Sequence, residues 1–396
     1  MIRKQLKDGV KRLYYAARAF GLWLLIPLFV RSSSTFDPDH VRRIAVIRLD
    51  RLGDLVLTLP LLAALKRRWP SAEVTLVCRE AVAPLAQPQP EIDRLMTVRG
   101  VSGRAGRLLE QHERLRLRAW LRAERFDLVI DPFNGEELET AWLAWHSRAR
   151  YRLGFATAGR RLFFTHAVTA RPEDSFLRQQ QALAAVIGVE LDPEARPRLR
   201  VTPAEREAAL ARLRREGLDP SHPIIAIHPG GYYPSQRWPL GRFLQLARQL
   251  EREGPWQVAF FGTRAEERLI AQIGMDVGQR VAVFFGLELR EFIALIECCQ
   301  LMVCNNSGPL HLASGLGLPT VSTMGPTDPL RWQPAGQGHL VVRKPLWCSP
   351  CGEGLCPLGT HACMTAISIE EMRAAVNDRM AQVDRQISTA TLADAR

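Results

Sequence analysis

From Val41 onward, short β-branched runs alternate with helical stretches, and the alternation stops and restarts once. Residues 44–47, 74–77, 94–98 and 128–130 read as strands of a first series. Residues 224–227, 258–261, 281–284, 301–304 and 320–322 read as a second, each followed by a loop containing Gly, Pro or Asn. Strand and helix in repeated alternation build a mostly parallel sheet covered on both faces, so the pattern predicts two α/β units. A chain of 396 residues, 47% hydrophobic and 24% charged, has the length and composition to fill two such cores. Between the series lie the Pro- and Arg-rich stretch DPEARPRLRVTP, a charged helix over 204–216, and LDPSHP. The expected organisation is therefore a basic segment 1–40, a first domain 41–195, a linker 196–222, a second domain 223–365 and a C-terminal helix and tail 366–396.

The formal net charge of +12 calls for an anionic partner: nucleic acid, an acidic membrane or a phosphorylated substrate. The amino terminus narrows this. Ile2, Leu6, Val10, Leu13, Ala17 and Phe20 fall on one helical stripe, with Lys4, Lys7, Lys11 and Arg18 opposite. The apolar stretch GLWLLIPLFV that follows is well short of the roughly 20 residues a helical span needs, and Pro27 interrupts it. Seven Lys/Arg against one acidic residue up to Arg31 suit attraction to anionic headgroups. Two readings stand for this segment: contact with a membrane surface, or a helix packed on the protein itself. The long basic region and the lack of a small-residue cleavage site after Val30 argue against a signal peptide, and the expectation is a cytoplasmic protein. With no nucleic-acid motif and no aromatic residues set in a basic repeat, nucleic acid is set aside.

Parallel sheets bind ligands beyond the carboxyl ends of their strands, so the residues that follow strands carry the functional reading. After the first strand comes RLDRLGDLVLTLP, where Gly53 is expected to permit a tight turn and Asp54 stands at a helix start. A carboxylate there caps the helix whatever else it does. Neither G-x-G-x-x-G nor a Walker A loop is present, which excludes the common dinucleotide and P-loop solutions. Three strand ends of the second series suit phosphate and ribose. HPGGYYPSQRWP offers Gly230 and Gly231 for close backbone approach and Arg237 as a fork of donors. In GTRAEER, Gly262 and Thr263 turn the chain and Glu266 or Glu267 is an acceptor for ribose hydroxyls, and NNSGPLHLASGLG places Asn306, Ser307 and Gly308 before a helix, with His311 one turn in. A solvated helix start, or Asn and Ser capping, accounts for the same loops. His228 and His311 read equally as packed histidines. Arg148, Arg150 and Arg152 form a basic edge that reads either as a contact for the phosphates of a ligand or as a solvated face, and Trp142 and Trp145 line either core or cleft.

These pieces together resemble glycosyltransferase family 9, the bacterial lipopolysaccharide heptosyltransferases. The matching segments are IRLDRLGDLVLTLPLLAALK, FDLVIDPFNG, RYRLGF, IAIHPGG with SQRWP, FFGTRAEE, NNSGPLHLASGLGLPTVSTMGPTDP and CSPCGEGLCPLGTHACM, from about Ile44 to Met364. The resemblance implies a GT-B fold, two Rossmann-like parallel-sheet domains facing a central cleft, with the first domain on the acceptor side. It implies inverting, metal-independent transfer from ADP-heptose or a related donor to a lipid A–core acceptor at the inner face of the cytoplasmic membrane, with no cofactor needed for catalysis. Asp54 takes the position of the general base. Gly230, Gly231, Arg237, Gly262, Glu266, Asn306, Ser307, Gly308 and His311 take donor-side positions, and Gly53 and Arg152 acceptor-side ones. Gln236 stands where the family often has Lys, and Asn306 where an acidic residue is frequent, so the sugar and nucleotide are open. Transfer of another activated sugar to a cell-surface glycolipid, and membrane-surface binding without catalysis, are the alternatives.

Four of the eight cysteines cluster as Cys348, Cys351, Cys356 and Cys363, with His361 nearby. That spacing predicts a structural zinc site ahead of reduced thiols or a redox-labile pair. Cys78, Cys298, Cys299 and Cys304 sit in or beside apolar runs and are expected in the core.

Overall fold

The computed structural model describes residues 13–22, 35–99, 109–171, 173–192, 194–273 and 281–394. Most of the predicted basic stripe (1–12) and of the apolar stretch after it (23–34) lies outside these residues. The chain divides into two compact units, Met1–Ala195 and Arg196–Arg396.

The first unit carries six parallel strands: β1 (Arg43–Arg48), β2 (Glu73–Arg79), β3 (Arg94–Val98), β4 (Leu128–Asp131), β5 (Tyr151–Phe155) and β6 (His166–Val168), in the order β3-β2-β1-β4-β5-β6. The second carries β7 (Ile224–His228), β8 (Gln257–Gly262), β9 (Val281–Phe285), β10 (Leu301–Asn305), β11 (Thr320–Thr323) and β12 (His339–Val342), in the order β12-β11-β10-β7-β8-β9. Both orders are the doubly wound Rossmann order, in which the chain reverses direction across the sheet between its first and fourth strands. The crevices of interest thus lie beyond β1 and β4 in one unit and beyond β7 and β10 in the other.

Central strands are apolar along their length because helices cover both faces: five of the six residues of β1 are buried. Ile44 is in register with Val74 of β2 and with Leu128 of β4. The strand is followed by helix α1 (Leu52–Arg68), which buries Leu55, Val56, Leu59, Leu62 and Leu65 and ends in Lys66, Arg67 and Arg68, charges that suit a helix C-terminus. Three strands fall outside the sequence reading: β5, β6 and β12. In β5 the sequence YRLGF includes a glycine that weakens a strand signal. Packing requires it, since a Cβ on Gly154 would stand 2.2 Å from the Phe164 ring.

The charged helix of the expected linker, Pro203–Arg215, packs against the helix Leu289–Glu297 of the second unit. Arg206 pairs with Glu297 at 2.8 Å and Arg290 with Glu205 at 2.5 Å. The final helix, Ile369–Asp394, packs on the second sheet, where Met372, Val376 and Met380 join one cluster with Ile225, Val303 and Val321.

Near the amino terminus, helix 13–22 uses Arg18 to reach the carbonyls of Ala158 and Glu136, the former at 2.9 Å. Leu22 lies against Gly159, while Leu13, Tyr14 and Phe20 remain exposed. One side of this helix is docked on the first unit and an apolar side stays open. Among the described residues, no helix is long and apolar enough to cross a membrane.

Candidate active site

In the first unit, β1 ends at Arg48 and α1 starts at Leu52, which makes Asp54 the third helical residue. Its Oδ2 accepts the Arg51 N–H at 3.1 Å, so it does cap the helix. It also faces a charge. Arg48 is 2% exposed, and its guanidinium reaches Asp54 (Nη2 to Oδ1, 3.7 Å) and Asp50 (Nη1 to Oδ2, 3.4 Å). Arg48 Nε donates to the Asp54 carbonyl at 3.3 Å, and the guanidinium lies 5.0 Å from the centre of the Phe176 ring. Beside them β4 ends in Asp131, which pairs with Arg160 at 2.5 Å, both side chains fully buried. Arg160 therefore neutralises Asp131, and one guanidinium is left between two carboxylates, each only 13% exposed.

That imbalance has a chemical consequence. Burial raises the Asp50 carboxyl, Arg48 opposes the rise, and Asp54 and Asp131 add to it, leaving Asp50 at about 7. A carboxyl poised near neutrality next to a second one in a different environment is what acid–base chemistry uses. It also makes stability depend on pH. Since Asp50 holds its proton more tightly in the folded chain than in the unfolded one, its contribution is fully present below its ordinary value of 3.8. It is lost as the pH rises through about 7. Asp50→Asn is expected to raise the unfolding free energy at pH 8 by on the order of 2–4 kcal/mol and to flatten its decline between pH 4 and 7. Denaturant titrations at several pH values read this, and an unchanged decline would remove Asp50 as the titrating group.

The acceptor-side residues are placed differently from the expectation. Gly53 is buried as the second residue of α1 and is not among the residues with positive φ, so it makes no turn. Arg152 lies in β5, level with Val129 of β4 and, through it, with Ala45 of β1, three residues short of Arg48. Its guanidinium donates to the carbonyls of Phe163 (3.0 Å) and Ala149 (2.7 Å), and burial holds its pKa below the ordinary value. The structure does not bring Arg152 together with Asp54.

In the second unit the three predicted loops converge beyond β7, β8 and β10. Gly230 must be glycine, because a Cβ there would stand 2.6 Å from the His228 ring. The Gly230 N–H donates to His228 Nδ1 at 3.1 Å, and burial pushes that imidazole down to about 4, against the attraction of Glu266. Glu266 accepts from the Thr263 N–H at 2.9 Å and from its hydroxyl. Burial raises its carboxyl, but these bonds and His228 outweigh that and hold it below the ordinary value. Glu267 instead pairs outward with Arg264 at 2.8 Å, so of the two glutamates only Glu266 faces the loops. Gly262 ends β8, where a Cβ would meet the Phe285 ring at 3.0 Å. Arg237 is exposed and its Nε is held by the Gly231 carbonyl at 2.8 Å, which aims the rest of the fork outward. Gln236 donates to Thr327 Oγ1 at 3.1 Å, a polar tie where the family often has a charge.

The third loop holds the most telling side chain. Asn306 is 6% exposed, its backbone N–H is used by the Thr323 carbonyl, and its side-chain Nδ2 is buried with no hydrogen-bond partner. A buried amide donor left unpaired costs free energy unless a ligand completes it. Ser307 Oγ donates to the Asn305 carbonyl at 3.3 Å, and Gly308 opens the helix Gly308–Gly315, in which His311 is buried.

Sequence reasoning passed over the residue that joins these loops. Asn305 is fully buried, and its Oδ1 accepts the Trp238 N–H (2.9 Å) and the Thr323 hydroxyl (2.7 Å). Its Nδ2 donates to the carbonyls of Pro229 (2.6 Å) and Gly230 (3.2 Å). All four bonding positions of one amide thus fix the loop after β7 against β10 and β11. Arg48, Asp50, Asp131 and Arg160 were passed over in the same way. For Asn305, Arg48 and Asp131 a signal was available, a polar residue closing an otherwise apolar strand, whereas Asp50 and Arg160 lie outside strands and carried none.

The four clustered cysteines are free thiols that line one small cavity with Ser235, Pro326 and His361. His361 Nε2 bonds the Ser235 carbonyl at 2.6 Å, and its backbone N–H donates to Cys356 Sγ at 3.3 Å. Among the described residues, no group of three or more His, Cys, Asp or Glu side chains is arranged to hold a metal ion. As placed, the thiols do not fit the expected zinc. Cys78, Cys299 and Cys304 are buried in the core, and Cys298 half-buried.

The family model of glycosyltransferase family 9 (heptosyltransferase) matches residues 114–362, more than half of the chain. Lipooligosaccharide heptosyltransferase 2 of Haemophilus influenzae is 25% identical over 313 residues, covering 76% of this chain and 88% of that protein. Lipopolysaccharide heptosyltransferase 2 of Salmonella typhimurium is 26% identical over 325 residues, with the same coverage. Among solved structures, a glycosyl transferase family 9 protein from Veillonella parvula superposes with a TM-score of 0.73 at 24% identity, covering 88% of this chain and 99% of that one. The E. coli ADP-heptose lps heptosyltransferase II gives 0.69 at 23%, with 86% and 99% covered. At these identities the structural likeness is one of fold, and it matches the two doubly wound sheets. The chain belongs to glycosyltransferase family 9, the heptosyltransferase family, and is a glycosyltransferase of GT-B fold.

Proposed function

We propose that the chain transfers heptose from ADP-heptose to the inner core of lipopolysaccharide, with inversion, and that Asp54 takes the proton of the attacking acceptor hydroxyl. Direct displacement at an anomeric carbon needs one base within hydrogen-bond reach of the nucleophile. The diphosphate leaving group needs electrostatic support more than a proton, and Arg237 with the helix start at Gly308 offers it. Glu266 is the acceptor for ribose or sugar hydroxyls, with Gly230 and Gly231 permitting close approach of the donor.

The single observation that carries the reading is the buried Nδ2 of Asn306, which has no hydrogen-bond partner, just past the carboxyl end of β10 and beside Ser307 and Gly308. It supports a hydroxyl-bearing ligand seated against that loop. Docking at an anionic membrane surface accords with the open apolar side of helix 13–22, Leu13, Tyr14 and Phe20.

Calorimetry and thermal shift with ADP, UDP, GDP and their sugars test the donor. ADP and ADP-heptose are expected to bind selectively. Selective binding of UDP or GDP would move the reading to another activated sugar, in keeping with Gln236 in place of Lys, and no nucleotide binding would sink it.

A further inference from the structure

A groove of about 830 Å³ opens in the first unit, away from the carboxylates just described. Its walls are the helix Gln111–Ala123 and the turns that enter β4 and β5. Those turns lie at the amino-terminal ends of the strands, whereas Asp50, Asp54 and Asp131 lie at the carboxyl ends. Arg118, Arg122, Arg125 and Arg148 line it, with Phe126 buried behind them, and no acidic side chain lines it.

The bland account of arginines in this place is that they neutralise helix C-termini, and two helices do end here, at Ala123 and His146. Those two ends supply roughly half a negative charge each, about one in total, against four guanidiniums. The nearby carboxylates are already engaged. Glu124 is held by Arg43 and Arg94, Glu113 by Arg116 at 2.7 Å, and Asp127 accepts the backbone N–H groups of Arg42 and Arg43 at 2.8 Å. Among the described residues none of the four groove arginines is paired with a carboxylate. Arg118 lies over the Trp142 ring at 5.8 Å, and the other three are exposed.

Two further features mark the arginines here, one electrostatic and one of backbone conformation. His146 is held below its ordinary value, by burial first and then by Arg118, Arg122 and Arg148, against a bond to the Trp142 carbonyl. Arg125 and Arg148 adopt φ of 52° and 58°, the left-handed region that glycine or asparagine occupies more readily. The chain keeps an arginine at both turns although a smaller residue suits the backbone better.

We infer that this groove binds a ligand carrying two or more phosphate groups, held by Arg118, Arg122, Arg125 and Arg148. Guanidinium forks match phosphate oxygens two at a time, and a surplus of roughly three positive charges fits a polyvalent anion better than a single carboxylate. The same chemistry is presented by anionic lipid headgroups and by soluble diphosphates. The site stands apart from the reading of Asp54 and does not depend on it.

The test uses the full chain and three proteins: wild type, Arg122→Gln with Arg148→Gln, and a charge-matched control, Arg67→Gln with Arg68→Gln, at the exposed end of α1. Inorganic pyrophosphate is titrated calorimetrically, and co-sedimentation is measured with phosphatidylglycerol and phosphatidylcholine vesicles. The groove variant is expected to lose at least about tenfold in affinity while the control stays near wild type. Loss towards pyrophosphate names a soluble phosphate ligand, and loss towards phosphatidylglycerol vesicles alone names a headgroup. Equal losses in both variants, no loss in the groove variant, or a wild type that binds neither probe would overturn the inference.

Discussion

Replacing Asp54 by Asn is expected to lower kcat for sugar transfer by roughly 10²- to 10⁴-fold, the usual contribution of a positioned base, with donor affinity changed by less than about twofold. Asn is the informative substitution because the side chain does two things at once. Its Oδ2 accepts the Arg51 N–H, and an amide oxygen replaces that acceptor, so the start of α1 is kept. What disappears is the negative charge facing Arg48 and with it the capacity to take a proton. Single-turnover transfer measured beside nucleotide calorimetry separates the two roles. Turnover within about tenfold of wild type would remove Asp54 as base, since that is less than such a group contributes, and would turn attention to Asp50. If Asp54→Ala also unfolds the first unit, the Asn variant still decides the question.

Replacing Arg160 by Met is expected to cost the first unit about 3–5 kcal/mol, because it strands the Asp131 charge in a site that solvent does not reach. Both side chains are fully buried, and Arg160 additionally donates to the Glu137 carbonyl and to Thr140 Oγ1 at 3.3 Å. A domain with a total stability of about 5–15 kcal/mol loses a large part of it in one step. The companion change Asp131→Asn, which removes the stranded charge, is expected to restore more than half of the loss in urea denaturation. A loss below about 1 kcal/mol for Arg160→Met alone would mean that the pair contributes no more than a surface one.

The strands that sequence reading found were those written as apolar runs: the reading of 44–47 became β1 and that of 224–227 became β7, each extended by a residue or two. The strands it passed over were short or mixed in composition. β5 carries a glycine that Phe164 requires, and β6 is only three residues long, so neither has the period or the length that marks a strand. The site was legible in part for the same kind of reason. Asp54 could be read as a cap because capping is local, within three residues. The charge it shares with Asp50 through Arg48, and the pairing of Asp131 with Arg160 across 29 residues, depend on which strands lie side by side. Glu266 and Glu267 were indistinguishable in sequence, and helix phase decides between them: one side chain turns back to cap the helix, the other turns out to Arg264. Arg152 was placed by the family resemblance and as part of a basic edge, and sequence could not show that its Nε and Nη1 turn to backbone carbonyls of its own unit.

The final helix bears on how the second unit comes into being during synthesis. The last strand of its sheet ends at Val342, but Met372, Val376 and Met380, which cover Ile225, Val303 and Val321, are translated after that strand is complete. At ribosomal rates the delay is on the order of a few seconds. Through that interval the helix Leu240–Glu253 covers this face of the sheet without its later partner, and the part that Met372, Val376 and Met380 will bury passes through a timed exposure in which a chaperone, or a neighbouring nascent chain, has access to it.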